Sequence, residues 1–190
     1  MLGQISTAGG GYSMTMIPAV VGIALFIATL LWAAVGDADT RMIPNRIIIV
    51  LLAGYVLLAP LAGFSLQQIG MSVAAAAVTF SVHLALFWGG AIGGGDAKLI
   101  PATALWVGAG EVFSFLLWAA AFGGVLAICA LTFRAIPLKT FRAILLNPTN
   151  PLPAWFLRLH GRTIGIPLGV SIAAAGVMKI FSSPWVDAFQ

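Results

Sequence analysis

Long apolar stretches separated by short polar ones set the pattern of this chain. They extend over Ile17 to Gly36, Ile47 to Gly63, Ile69 to Trp88, Gly95 to Gly110, Val112 to Phe133 and Ile164 to Phe181. All but the fourth reach the roughly 17–25 residues that carry a helix across a bilayer. A segment crossing hydrocarbon must pair its own backbone amides, which a helix does and an open strand does not. The pattern therefore predicts an all-α fold, a polytopic membrane bundle of about six transmembrane helices forming one domain over residues 1–190. At roughly 1.5 Å per residue the fourth span reaches about 24 Å against a core of about 30 Å. Either the bilayer thins around it or neighbouring helices hide its ends.

Composition agrees: 61% of the residues are hydrophobic and only 7% charged, too few charges to cover a water-facing surface. Basic residues cluster in alternate connections. Arg41 and Arg46 lie between the first two spans, Lys98 opens the fourth, and Arg134, Lys139, Arg142, Arg158 and Arg162 separate the last two. With six spans these all fall on one side, which the positive-inside rule places in the cytoplasm, both termini facing out. Lys179 is the exception and is expected to snorkel outward. The stretch before Ile17 carries no Lys or Arg, and the run after it is too long for a cleaved signal peptide. It reads as a first span that stays.

The one long connection is a cytoplasmic basic loop over residues 134–163, broken by Asn147, Pro148, Pro151 and Pro153. Within it Trp155, Phe156 and Leu159 interleave with Arg158 and Arg162, which fits an interfacial helix that tethers the loop or grips a substrate. The net charge of +4 sits in such loops, so the lipid bilayer rather than nucleic acid is the expected partner. Cys129 stands alone inside an apolar run, so no disulfide or cysteine-based zinc site can form. Gly89 with Gly93, Gly90 with Gly94, and Gly165 with Gly169 have the small-xxx-small spacing of close helix packing. Trp88, Trp106, Trp118 and Trp185 fit interfacial belts or lipid contact.

Five acids, Asp37, Asp39, Asp96, Glu111 and Asp187, occur in the whole chain. An acid in or beside hydrocarbon is costly, hence a functional candidate. By parity Asp37, ending span one, and Asp96, opening span four, lie at the same depth on the same side. If two such carboxylates approach, repulsion in a low dielectric separates their titrations and leaves one ionised and one protonated. An ionised carboxylate can then take a proton from water while its protonated partner polarises a carbonyl. Gly93, Gly94 and Gly95 ahead of Asp96 allow irregular backbone and close approach of another chain. The same glycines serve equally as a break between spans, with Asp96 capping the next helix. Asp37 through Pro44 reads equally as a juxtamembrane turn.

The segment from Asp37 through Ile43-Pro44-Asn45, followed by Gly93-x-Gly95-Asp96-x-Lys98-Leu99, resembles the type IV prepilin peptidase family, the GxGD-type aspartyl membrane peptidases. Ile166-Pro167-x-Gly169-Val170 is similar to a further element of that family, although Leu168 stands where a tyrosine is expected. The resemblance implies catalytic roles for Asp37 and Asp96. Gly93, Gly95, Lys98, Pro44 and Asn45 are the supporting or substrate-binding candidates. It implies an aspartic endopeptidase of the bacterial inner membrane, cleaving the leader of a prepilin or pseudopilin on the cytoplasmic side, after a glycine preceding an apolar helix. No cofactor and no metal are called for. Larger members carry a domain with two Cys-x-x-Cys pairs associated with N-methylation, which one cysteine cannot supply. The expectation is a peptidase without methyltransferase activity, in the compact form that resembles peptidases of Flp (tight-adherence) pilus systems.

Asp39 does not match the family pattern and is a secondary candidate that perturbs the pair. Lys98 either acts on Asp96, contacts an acidic group of the substrate or anchors at the interface. His83 is read as a helix-packing residue or a proton relay, and His160 as solvated. Glu111 and Asp187, on the opposite face, are assigned to the surface. Two other classes compete: a small transporter, which calls for acids deeper in the spans and pseudo-symmetric halves, and a non-catalytic component of a secretion assembly. The sequence does not give the oligomeric state.

Overall fold

In a computed structural model, the described residues are 14–135 and 167–187. They form six successive helices, α1 (Met16–Thr40), α2 (Asn45–Leu61), α3 (Leu66–Trp88), α4 (Asp96–Val107), α5 (Val112–Ala135) and α6 (Leu168–Ile180), then a single turn, α7 (Pro184–Asp187). No strand occurs among the described residues. Four stretches are long and apolar enough to cross a membrane: Met16–Thr40, Leu66–Trp88, Val112–Thr132 and Leu168–Asp187. Asn45–Leu61 is a shorter apolar helix. The fold is the expected all-α membrane bundle. Of the expected basic loop, Arg134 and Ala135 still belong to α5, while 136–163 lie outside the described residues. Met1 to Ser13 do too.

The chain punctuates its helices with recognisable chemistry. Arg41, in the left-handed conformation, ends α1, and extended Pro44 starts α2. α3 begins three residues earlier than the apolar run because Ser65 and Gln68 form a capping box. The Gln68 amide donates to Ser65 Oγ at 3.2 Å, and the Ser65 amide donates to Gln68 Oε1 at 2.8 Å. Each satisfies a donor that a helix start leaves unpaired. Inside the bundle Thr29 and Thr103 donate their hydroxyls to carbonyls one turn back, Leu25 and Leu99, which lets them sit in apolar surroundings. His83 holds to its own helix in the same way, with Nδ1 2.7 Å from the Thr79 carbonyl oxygen.

α4 corrects the expectation for span four. It runs for 12 residues rather than sixteen and ends at Gly108, whose φ of 85° favours glycine. Its residues from Pro101 to Val107 are all buried. At about 18 Å it is too short to cross alone. It is enclosed instead, with α2, α3, α5 and α6 packed around it, while α1 packs on α2 and α6. Its C-terminal end is buried, while Lys98 in its first turn is exposed.

The tryptophans divide. Trp88 and Trp118 point outward as expected, but Trp106 and Trp185 are fully buried, correcting the interfacial reading for these two. Their rings stack, with centroids 4.7 Å apart, and Phe26 and Tyr55 pack against Trp106. Each buried indole N–H finds a carbonyl: Trp106 donates to Leu51 at 2.9 Å and Trp185 to Trp106 at 3.1 Å. That pairing is what makes their burial tolerable.

Between helices in lipid there is little hydrophobic driving force, so close packing at small residues does the holding. Gly54 lets α2 close on Leu25 and Trp106, and Gly176 lets α6 close on Leu30 and Thr103. The sequence pairs Gly89 with Gly93 and Gly90 with Gly94 do not act this way: they lie in the connection between α3 and α4, not on a helix face. A Cβ at Gly22 would fall inside contact distance of the Trp185 ring. We expect Gly22→Ala to cost about 1–3 kcal/mol by overpacking. The measurement is thermal unfolding in detergent, and an unchanged midpoint would show that the Trp185 ring gives way freely.

At the end of the bundle remote from Asp37, Lys179 Nζ lies 3.0 Å from Glu111 Oε2. Lys179 is the more buried partner. Rather than snorkelling alone, it reaches across from α6 to the turn before α5. Glu111 is therefore tied into a contact, whereas Asp187 remains exposed as expected.

Candidate active site

Three stretches, two of them neighbours in sequence, lie where α1 ends and α4 begins. The first is Asp37 in the last turn of α1. Its side chain is 7% exposed, buried because α6 packs directly against it. The amide of Gly169 donates to Asp37 Oδ2 at 2.7 Å. A Cβ at Gly169 would sit only 2.9 Å from both Cβ and Oδ2 of Asp37. Only glycine lets the two helices approach this closely. At a helix start, the donated amide is one the helix itself leaves unpaired.

The second stretch is the glycine-rich connection and the first turn of α4. Asp96 is the first residue of α4 and is partly buried. The Ala97 amide donates back to the Gly93 carbonyl at 3.0 Å, folding the connection over the helix start. A Cβ at Gly93 would be 3.2 Å from Asp96 Oδ2, so the glycine leaves room beside the carboxylate. The charge of Asp37 acts on Asp96, and the contacts of Ile43 with Gly95 and of Asn45 with Lys98 put the two acids at the same end of the bundle.

The third stretch runs from Arg41 to Asn45 and joins the two. The side chain of Ile43 packs on Gly95, where a Cβ would lie 3.1 Å from Ile43 Cβ. Lys98 Nζ donates to Asn45 Oδ1 at 3.2 Å, linking the first turn of α4 to the first residue of α2. Lys98 and Asn45 are both exposed, so this link sits at the rim. Pro44 sets the extended backbone that turns the chain into α2. Asp39 is exposed, on the outer side of the last turn of α1.

Gly169 makes a contact with Asp37 that the sequence did not assign to it. Its part is played by a backbone amide, which no side-chain inventory reveals; the signal was the Pro167-x-Gly169 pattern opening the last helix. Among the described residues no three His, Cys, Asp or Glu gather to hold a metal ion. What this end of the bundle offers is two carboxylates, one buried and held by an amide, the other beside Gly93. Such a pair can activate water and polarise a carbonyl.

Among the described residues the chain is an all-helical bundle with several helices long and apolar enough to cross a membrane, the class of a multi-pass membrane protein. The chain belongs to the type IV leader peptidase family: the model of that family matches residues 24–128, more than half of the chain, spanning Asp37 and Asp96. It therefore has a leader-peptidase-like function in a multi-pass membrane protein. No curated protein and no solved structure matches the chain.

The rim contact gives a graded expectation. Exposed polar pairs contribute little, about 1 kcal/mol or less, so Lys98→Ala should lower peptidase activity by no more than about fivefold. Rates measured on one leader substrate check this; a loss comparable to that of an aspartate variant would move Lys98 into the chemistry.

Proposed function

We propose that this chain is an aspartic endopeptidase of the bacterial inner membrane, removing the leader of a prepilin or pseudopilin at the cytoplasmic face after a glycine that precedes an apolar helix. The observation that carries this reading is that Asp37, buried and held by the Gly169 amide, and Asp96, opening α4, lie at the same end of the bundle. In the proposed reaction one carboxylate, ionised, removes a proton from water as its oxygen attacks the scissile carbonyl carbon. The other carboxyl, protonated, donates to the carbonyl oxygen, so that no full negative charge builds in a poorly hydrated site. Collapse of the tetrahedral intermediate breaks the C–N bond. The departing amine takes the proton first removed from water, and the product acid and the restored pair remain.

The cytoplasmic side is supported by Arg41, Arg46 and Lys98, all at the end of the bundle that holds the aspartates. A substrate whose apolar helix rests in lipid beside the bundle would bring its leader to this same level. The glycines around Asp96 leave room for a peptide strand, consistent with a small residue at the cleavage point. The single cysteine supplies no Cys-x-x-Cys pair, and we propose peptide hydrolysis without methyl transfer, on substrates of the Flp pilus kind.

The test is coexpression with a prepilin in a host lacking its own leader peptidase. Appearance of the shortened pilin, with its new N-terminus directly after the glycine, is the expected result. A pilin that keeps its full leader beside a correctly inserted enzyme would favour a transporter or a non-catalytic assembly component.

A further inference from the structure

Arg41 carries three features that the chemistry of the two aspartates does not use. It is the only non-glycine residue with positive φ among the described residues, at 58°. Its amide donates to the Asp37 carbonyl at 3.1 Å, tying the turn to the residue that bears the buried carboxylate. Its Nη1 is buried, yet has no hydrogen-bond partner among the described residues.

The first and the third are unfavourable by themselves. A glycine or asparagine would make the left-handed turn with less strain. A buried guanidinium nitrogen without an acceptor loses hydration that no hydrogen bond replaces. Strain and an unmet donor persisting together at a site edge point to function. Guanidinium has only donors, so the missing group must present an oxygen. The turn that Arg41 closes is hydrogen-bonded to Asp37 and the guanidinium charge acts on the Asp37 carboxylate, so an oxygen bound there lies at the same end of the bundle as Asp37.

We infer that Arg41 is a substrate-binding residue whose buried Nη1 donates to a carbonyl or carboxylate oxygen of the peptide held next to the aspartates. The inference rests on the leader-peptidase reading. The planar fork of arginine then fixes the peptide in one register relative to the water-activating carboxylate.

The test compares the wild-type chain with R41Q, R41K and R41G in nanodiscs, using a leader peptide and a version whose acidic side chains are replaced by their amides. Direct binding of the same peptides is measured on the Asp96→Asn chain with and without Arg41→Gln. R41Q should raise KM at least about tenfold, the usual scale for a lost charged hydrogen bond. Affinity should fall in parallel with the rise in KM, and because the Arg41 charge acts on Asp37 the pH profile should move in R41Q but not in R41K, which keeps that charge. R41G relieves the strained turn and should bind peptide as poorly as R41Q; R41K keeps the charge without the fork and should recover only part of the loss. If the amide peptide binds wild type normally, the acceptor is a backbone carbonyl; if it binds as weakly as to R41Q, a carboxylate. Unchanged KM with a displaced pH profile would make Arg41 a positioning residue for Asp37 and overturn the inference. So would R41G that folds better and binds peptide as wild type does. Should the wild-type chain cleave nothing, the peptidase reading fails; the binding arm then still decides Arg41, equal affinity with and without it removing the inference.

Discussion

Asp37→Asn and Asp96→Asn are each expected to abolish leader removal, by about 10²–10⁴-fold, while the chain inserts and folds normally. Asparagine matches aspartate in shape but can neither take up nor release a proton at neutral pH. At position 37 its amide oxygen can still accept the Gly169 amide, so the contact between α1 and α6 survives. At position 96 the side chain is only partly buried, and asparagine also suits a helix start. Structure should therefore be retained and chemistry lost, the separation that distinguishes a catalytic acid from a packing residue. Leader removal is followed by the size and N-terminus of the pilin, and folding by membrane fraction and unfolding midpoint. Asp39→Asn is the control: that side chain is exposed beyond the pair and its loss should change the rate little. Processing retained in either Asp37→Asn or Asp96→Asn would end the two-carboxylate mechanism, whatever the family.

Much of this arrangement was legible before any coordinates, and the reasons are specific. Apolar runs of span length give helices because lipid leaves the backbone no other way to pair itself. Helix parity alone put Asp37 and Asp96 at one level. What parity cannot give is lateral proximity, which depends on which helices touch. The short α4 was misjudged in length because Gly108 and Gly110 extend an apolar run past the point where φ turns positive. Trp106 and Trp185 looked interfacial because hydropathy does not tell a lipid-facing indole from one whose N–H meets a carbonyl inside. The ion pair of Lys179 with Glu111 joins residues 68 apart in sequence, on elements whose contact no local pattern announces.

The largest effect expected from a residue without functional side-chain atoms is at Gly169. Gly169→Ala adds one methyl group at a point 2.9 Å from the Asp37 Cβ and carboxylate oxygen, closer than real side chains come. The neighbour is the buried Asp37 side chain at its Cβ, not the loose end of a flexible chain, so relief requires α6 to retreat or Asp37 to rotate. Either lengthens the 2.7 Å hydrogen bond and moves Oδ2 relative to Asp96. A displacement of about 1 Å at reacting groups can cost about 100-fold in rate, and that is the expected loss in kcat, with substrate affinity largely kept. Stability should fall by about 1–3 kcal/mol as well, so the variant is compared at a temperature well below its own unfolding midpoint. Leu168→Ala, one residue away and without contact to the carboxylate in the hydrogen-bond pattern, serves as the packing control: similar destabilisation there with activity kept isolates the effect on Asp37. If Gly169→Ala cleaves leader at the wild-type rate, the amide from α6 does not set the geometry of the pair, and the contact of α6 with Asp37 is structural alone.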